Sequence, residues 1–173
     1  LVYSHKITPR LTYIFRQIFI RILELPVDFT STIEKFVSHS GPKISYTHQP
    51  LGKEFFIASH DLLFQQGIQE VEVEVSNWSG TPAFFKLSKD SQLPFDIFAA
   101  SFYLMSRYEE FLPHIKDELG SFLPLQSLAA KNNFLELPLI DLWALRLKDK
   151  LYVFFPELPH ISWNKPTFQP IVS

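Results

Sequence analysis

Six residues in the second half of the chain have types and spacings that could support chemistry. They comprise four carboxylates, one guanidinium and one indole: Asp96, Arg107, Glu109, Glu110, Asp141 and Trp143. Carboxylates can transfer protons, a guanidinium can bind an anionic group through paired hydrogen bonds, and an indole face can stack on a sugar ring. The same residues could instead form a structural network, with Arg107 pairing to Glu110 one turn away and to Asp141 on a neighbouring helix. We favour the structural network, and a binding role is the alternative.

The sequence lacks the motifs of common metal-dependent and nucleophilic enzymes. Its six histidines, at positions 5, 39, 48, 60, 114 and 160, form no HxH or HxxxH pair of the kind that zinc sites use. There is no cysteine for a thiolate ligand, no GxSxG nucleophile elbow and no GxGxxG phosphate loop. Glu109 and Glu110 point about 100° apart on a helix, so they cannot face each other as a glycosidase pair. We therefore predict no catalytic residue and no metal site within this chain.

Most of the six residues lie on or beside one long predicted helix, residues 94–112. Pro94 suits a first helical turn, Asp96 adds a carboxylate to that turn, and Pro113 ends the pattern. Four polar residues at spacings of seven, four and three form one stripe along it: Asp96, Tyr103, Arg107 and Glu110. Apolar residues occupy the rest of the circumference, so the pattern predicts a helix that is buried on most sides.

The remaining periodicities alternate between strands and helices. Strands are predicted at residues 1–4, 27–29, 43–47, 55–58, 70–75 and 83–87. Further helices are predicted at residues 9–24, 31–38, 59–66 and 137–155. This order predicts an α/β fold with a mixed β-sheet, flanking helices and a long buried helix in the C-terminal half.

The clearest strand pattern is residues 70–75, where glutamate and valine alternate strictly. The valines predict a face that packs on the core, and the glutamates predict a face toward solvent. A row of three carboxylates could also suggest a metal site, but the charged outer face of a strand explains it without a ligand. We expect residues 83–87 to be the antiparallel partner.

Length and composition bound the class of protein. The 173 residues are 46 % hydrophobic, include 18 phenylalanines and carry a net charge of −2, which predicts a globular protein and gives no electrostatic basis for binding nucleic acid. The sequence contains no run of about 18 apolar residues, so no membrane span is predicted. The amino terminus also lacks the layout of a signal peptide. We expect a cytoplasmic location, an α/β domain in residues 1–160 and a linker in residues 161–173.

Four stretches together carry a family resemblance. They are LPFDIFAASFYLMSRYEEF at 93–111, ISY at 44–46, the set Pro138, Asp141 and Trp143, and QP at 169–170. This combination resembles the amino-terminal region of bacterial polysaccharide-deacetylase-like proteins, in which a carbohydrate-esterase domain of the NodB-homology type follows. The resemblance implies that residues 161–173 lead into that catalytic domain, which would hold a divalent metal, with zinc as the expected ion. Its Asp-Asp and HxxxH motifs are absent from this chain, so no catalytic residue is carried over.

The resemblance predicts a non-catalytic accessory domain. Such a domain would position or support the metal-dependent glycan N-deacetylase domain that follows it in the same chain. Its surface for that neighbour is expected in residues 114–133 and 156–170, which carry apolar side chains among turn-forming residues.

Two other functions remain open from the sequence. An independent enzyme would use Asp96, Glu109 or Asp141, and it would need a pocket that gathers them. A glycan-binding module would use exposed aromatic side chains such as Trp78 or Trp163.

Overall fold

The structure is a computed structural model, and it describes residues 1–67, 69, 71–106 and 139–158. The strands are β1 (Val2–Tyr3), β2 (Phe29–Thr30), β3 (Ile44–Thr47), β4 (Phe55–Ala58), β5 (Ser76–Trp78) and β6 (Thr81–Ala83). The helices are α1 (Pro9–Arg16), α2 (Ile33–Ser38), α3 (Ile97–Met105) and α4 (Leu139–Phe154), with a π-helical segment at Gln17–Ile22 and a 3-10 helix at Asp61–Phe64. This mixture confirms the predicted α/β class.

Four strands form one parallel sheet in the order β2, β1, β3, β4. All residues of β3 and β4 are buried, so both faces of the sheet are covered there, as is usual for parallel strands. Because β2 and β3 lie on opposite sides of β1, the carboxyl ends of β1 and β3 form the topological switch point of the sheet. β5 and β6 pair separately as an antiparallel hairpin.

Helix α1 begins where the sequence predicts. The hydroxyl of Thr8 accepts a hydrogen bond from the Leu11 N–H at 3.1 Å, and Pro9 occupies the first turn. The helical path continues through the π-helical segment, and Glu24 beyond it has a φ of 57°. Buried residues recur at helical spacing along this path: Leu11, Ile14, Phe15, Ile18 and Phe19. The predicted helix at residues 9–24 is therefore confirmed over residues 9–22, with wider turns in its second half.

Helix α3 begins three residues after Pro94, so the predicted first turn is wrong. The residues before the helix are drawn into pairing with an earlier segment. The Leu87 N–H donates to the Pro94 carbonyl at 2.8 Å, and the Asp96 N–H donates to the Phe85 carbonyl at 2.9 Å. Asp96 therefore becomes the N-cap and does not lie within the first turn. Residues 107–112 of the predicted helix lie outside the described residues.

The strand predicted at residues 70–75 is wrong over its described part, which forms no strand. The antiparallel pair is instead β5 with β6, and the predicted partner at residues 83–87 overlaps β6 only at Ala83. Between them, Ser79 and Gly80 have φ values of 52° and 86°, the left-handed backbone of a two-residue hairpin turn that sets this register. The valines still pack on the core while the two described glutamates are exposed. The alternation of apolar and charged residues therefore shows which side of a segment is buried, but it does not show which segment forms strand pairs.

Helix α4 confirms the predicted helix at residues 137–155 over its described length. It packs against α3 and the π-helical segment, and its buried residues include Trp143 and Leu147. Within the described ranges, none of the helices has both the length and the apolar character needed to cross a membrane.

Candidate functional site

Asp96 caps the amino terminus of α3. Its Oδ1 accepts hydrogen bonds from the Phe98 N–H at 3.1 Å and from the Ala99 N–H at 2.9 Å. These are two of the backbone donors that a helix leaves without intrahelical partners. One oxygen of the carboxylate is thus occupied by the helix that Asp96 begins.

The other oxygen of Asp96 joins this helix to the sheet. Oδ2 accepts a hydrogen bond from the Tyr46 hydroxyl on β3 and one from the His60 N–H, just after β4, at 2.8 Å. The carboxylate therefore receives four donors from three parts of the chain. Four donors suit an ionised carboxylate, which can only accept.

Burial governs the ionisation of this pair. Asp96 and Tyr46 are both fully buried. Burial raises the pKa of Asp96 to about 6, while its hydrogen bonds from Tyr46 and from backbone N–H groups oppose a larger rise. Burial, and then the neighbouring carboxylate, raise the pKa of Tyr46 well above its ordinary value. The phenol therefore stays protonated and remains the donor.

His60 completes this region from the end of β4. Its Nδ1 accepts a hydrogen bond from the Leu62 N–H at 3.1 Å, which caps the 3-10 helix. Its ring stacks on Phe85 with centroids 4.1 Å apart. Burial lowers the pKa of His60, so the neutral ring with an accepting Nδ1 is favoured.

Phe85 carries backbone strain beside this cluster. Its φ is 65°, in the left-handed region that a bulky side chain rarely adopts. Its carbonyl accepts the Asp96 N–H, and its ring also contacts Tyr103 edge-on at 5.9 Å. Contacts on several sides therefore hold this conformation in place.

The cluster of Asp96, Tyr46 and His60 links secondary-structure elements and does not form an accessible reaction site. Neither Asp96 nor Tyr46 has exposed surface, so a substrate cannot reach the carboxylate or the phenol. What the arrangement does is tie α3, β3 and the end of β4 together through one buried anion.

The six residues singled out from the sequence are not gathered in the described structure. Asp141 lies exposed in the first turn of α4, whereas Asp96 is buried. Trp143 is fully buried and donates from Nε1 to the Pro82 carbonyl at 3.0 Å, so it is a core residue and cannot stack on a sugar. The others, Arg107, Glu109 and Glu110, lie outside the described residues.

Two residues that donate hydrogen bonds to Asp96 were not predicted as site residues. They are Tyr46 and His60. A signal for Tyr46 existed, because it belongs to the ISY stretch of the family resemblance. No spacing rule could have found His60 as a partner, because it contributes its backbone N–H to a carboxylate 36 residues away.

The carboxyl edge of the sheet, where doubly wound folds commonly bind ligands, is covered by the chain itself. The Thr8 hydroxyl donates to the Leu63 carbonyl at 2.6 Å, and Arg10 donates to the Leu62 carbonyl at 2.9 Å. Leu62 and Leu63 are fully buried. The segment after β4 therefore fills the crevice near the switch point.

Exposed histidines remain at the outside of this edge. His5 and His48 have ring centroids 6.3 Å apart, and His48 Nε2 lies 3.7 Å from Asp61 Oδ1 with both side chains mostly exposed. Within the ranges that the structure describes, no three histidine, aspartate or glutamate side chains are arranged to hold a metal ion.

The opposite, amino-terminal edge of the sheet carries an apolar groove of about 310 Å³. We name it the amino-edge groove. Its apolar lining comes from the sheet, the π-helical segment, α4 and the residues that follow these two helices: Val2, Phe19, Leu25, Val27, Ile44, Leu151 and Leu158. Asp28 and Glu157 contribute carboxylates to its lining. The last residue described, Leu158, thus lies in the wall of this groove.

A second depression, of about 350 Å³, adjoins the amino-edge groove. Phe155 lines both, and the second also includes the exposed side chains of Val37 and Leu51. Exposed apolar surface therefore extends from the groove toward α2.

The sequence was compared with curated proteins, with solved structures and with models of protein families, and a family model matches it. No curated protein and no solved structure matches the sequence. The model of a family of unknown function, DUF7033, matches residues 1–156. These residues include all the strands and helices described above, so this chain belongs to the DUF7033 family of unknown function.

Proposed function

We propose that this chain is a non-catalytic accessory domain that positions or supports a glycan N-deacetylase domain following it in the same protein. The proposal rests on the resemblance of residues 93–111 and the smaller motifs to the amino-terminal region of polysaccharide-deacetylase-like proteins. The observation that carries it is the amino-edge groove, an apolar surface at the point where the described chain ends.

The groove has the character expected of a surface between domains. Interfaces within one chain are of mixed polarity and bury several hundred Å² per side. The groove combines apolar walls with Asp28 and Glu157, and the exposed Val37 and Leu51 continue its apolar surface. A neighbouring domain that covers this face would remove apolar surface from water.

The buried carboxylate supports a structural contribution of this domain over a catalytic one. Among the described residues, Asp96 has the environment that most resembles that of a catalytic group, because its carboxylate has a raised pKa and accepts four hydrogen bonds. It has no exposed surface, however. In this proposal the divalent metal, expected to be zinc, is held by the following domain. The proposed partner of this chain is that domain, and the proposed substrate of that domain is a glycan. We propose a cytoplasmic location and no binding of nucleic acid.

The glycan-binding alternative draws less support from the described aromatics. Trp78 has the Arg146 guanidinium 5.5 Å from its ring centroid and the Phe95 ring at 6.2 Å. The protein's own side chains therefore already contact its partly buried ring, which leaves less of the ring for stacking on a sugar. Trp163, the other aromatic candidate, lies outside the described residues.

Two experiments test the proposal. The first is to read the gene beyond Ser173, where we expect an aspartate-rich motif followed by an HxxxH pair; a stop codon would overturn the proposal. The second measures acetate release from acetylated chito-oligosaccharide by the natural full-length protein. Val27→Asp in the groove should lower the rate several-fold, whereas Val153→Asp should not, because Val153 is 81 % exposed and lines neither the groove nor the adjoining depression.

A control separates docking from folding in that second experiment. Both variants must keep the circular-dichroism spectrum and melting behaviour of the parent. If the deacetylase domain is equally active without residues 1–160, the accessory role is refuted.

A further inference from the structure

Helix α1 carries the most exposed aromatic ring in the part of the chain that the structure describes. Tyr13 is 46 % exposed, more than any other phenylalanine, tyrosine or tryptophan side chain in that part. Within the described ranges no other ring and no cation contacts it, whereas Arg146 and Phe95 contact Trp78. A face of the Tyr13 ring is therefore accessible to a ligand.

Tyr13 lies in a broad depression of about 560 Å³ along the outer side of α1, which we name the α1 face. Arg16 and Gln17 follow it at spacings of three and four along the helical path, so the three side chains lie on one side of it. The other lining residues are Ile7, Thr8, Pro9 and Thr12. The lining therefore has one cation, several hydrogen-bonding groups and no carboxylate.

The guanidinium of Arg16 is packed against an aromatic ring of the sheet. Its central carbon lies 5.8 Å from the centroid of the Phe29 ring. This contact occupies one face of the guanidinium and leaves its N–H groups, which lie in the plane of the group, for hydrogen bonds. Among the described residues, none accepts a hydrogen bond from Arg16. Such a planar fork can bind a carboxylate through two parallel hydrogen bonds.

A glycan chain that carries carboxylates matches these groups. The C–H face of a sugar ring stacks on an aromatic face such as that of Tyr13. Sugar hydroxyls both donate and accept, as do the side chains of Thr12 and Gln17, and a sugar carboxylate is an acceptor for Arg16. The depression is also open, so a polymer can continue beyond it on either side.

We propose that the α1 face binds an acidic glycan, with Tyr13 stacked on a sugar ring and Arg16 paired with a carboxylate. The choice of a glycan rests on the proposed function, and the proposal deepens that function by naming the class of glycan. The α1 face shares no lining residue with the amino-edge groove. A following domain and a glycan can therefore be bound at the same time.

Titration calorimetry of the 173-residue chain with a hyaluronan hexasaccharide and with chitohexaose tests this proposal. Both probes contain N-acetylglucosamine, and only hyaluronan has a carboxylate on every second sugar. We expect the hyaluronan probe to bind about tenfold more tightly, and Arg16→Gln to reduce this ratio to about twofold or less. Arg21→Gln is the matched control, at an exposed arginine outside the α1 face, and it should leave the ratio unchanged. Equal losses in both arginine variants, or no saturable binding by the folded parent, would overturn the proposal.

Substitutions of Tyr13 test the stacking contact. Tyr13→Ala should weaken binding of both probes about tenfold, whereas Tyr13→Phe, which keeps the ring, should retain most of the affinity. Ile20→Ala is the control, at a side chain that is 45 % exposed and does not line the α1 face. Circular dichroism verifies that each variant is folded. Unchanged binding in Tyr13→Ala, or an equal loss in Tyr13→Phe, would refute the stacking contact and with it the proposed site.

An acidic peptide is the competing ligand for a surface with one arginine and one tyrosine. Hexaglutamate should bind the parent more weakly than the hyaluronan probe does. Tighter binding of the peptide would assign the α1 face to a protein partner and overturn the proposal. None of these titrations depends on which residues follow Ser173 or on deacetylase activity, so this proposal and the accessory role can fail separately.

Discussion

The carboxylate of Asp96, at the start of α3, accepts a hydrogen bond from the hydroxyl of Tyr46, in the middle of the parallel sheet and 50 residues earlier in the chain. The same oxygen accepts the His60 N–H at the end of β4, and the other oxygen caps α3. One buried anion therefore fixes the position of a helix against two strands. Changes at this point should affect the stability of the domain more than any binding activity.

Asp96→Asn should destabilise the domain by about 2 kcal/mol at pH 7, because one oxygen becomes an amide that can only donate and two donors lose their acceptor. Urea unfolding followed by circular dichroism measures the change. Asp141→Asn is the matched control, since Asp141 is exposed on α4, and it should stay within about 0.5 kcal/mol of the parent. Equal stability of all three proteins would contradict the role assigned to Asp96.

Tyr46→Phe should cost about 1.5 kcal/mol, the value of a hydrogen bond to a charged group. The ring remains to fill the core between Phe15 and Phe98, so the loss reports the hydroxyl. Tyr13→Phe removes a hydroxyl from a side chain that is 46 % exposed and should have little effect. The same unfolding measurement compares the two, and a larger loss at Tyr13 would refute the prediction.

The stability contributed by Asp96 should decrease as pH rises. Its pKa in the folded protein is about 6, against an ordinary value of 3.8, so folding favours the protonated form. The contribution is fully present below pH 4 and is lost as pH rises through 6, a change of about 3 kcal/mol because one pKa unit is about 1.4 kcal/mol.

His60 acts in the opposite direction, since its pKa is lowered on folding and its contribution is lost as pH falls. The difference in unfolding free energy between the parent and Asp96→Asn removes this effect. That difference should be about 2 to 3 kcal/mol larger at pH 4 than at pH 7. A difference that is constant with pH would show that Asp96 keeps its ordinary pKa.

Trp143→Phe should destabilise the domain by about 2 to 3 kcal/mol, because the smaller ring leaves a cavity and the Pro82 carbonyl loses its donor. Leu145→Ala is the control on the same helix, at a side chain that is 43 % exposed. Thermal unfolding measures both. Unchanged stability together with lost binding to a chito-oligosaccharide would instead favour a sugar-stacking role for Trp143.

The isolated 173-residue chain should not deacetylate chito-oligosaccharides in the presence of added Zn²⁺, Mn²⁺ or Co²⁺. Its sequence has no HxxxH pair and no Asp-Asp motif with which such a metal could be held. Acetate release is the measurement, with an active deacetylase as the positive control. Turnover that survives replacement of all six histidines would require a different site.

Local sequence patterns determined much of the secondary structure of this protein. Pro9, with the apolar repeat that follows it, predicted α1, and the β-rich stretches 43–47 and 55–58 predicted β3 and β4. Helix α4 also lies within its predicted range. These elements could be predicted because capping, proline geometry and apolar periodicity act between residues that are near each other in the chain.

Where those local patterns did not hold, tertiary contacts determined the start of a helix and the pairing of strands. Pro94 suits a first helical turn, but its carbonyl pairs with Leu87, so the helix begins later and Asp96 becomes its cap. The alternating residues 70–75 identified a buried side, while the turn at Ser79 and Gly80 selected a different segment for pairing. Pairing depends on which segments meet, and local alternation carries no information on that.

Contacts between distant segments also explain why the site could be predicted only in part. The sequence singled out Asp96 and Trp143 as unusual, and both are buried hydrogen-bonding residues in the structure. It could not show that Asp96 meets Tyr46 and His60, because those contacts span 50 and 36 residues. A carboxylate in a sequence is equally compatible with solvent, a ligand or a buried cap, and only the packing of the helix onto the sheet selected the buried cap.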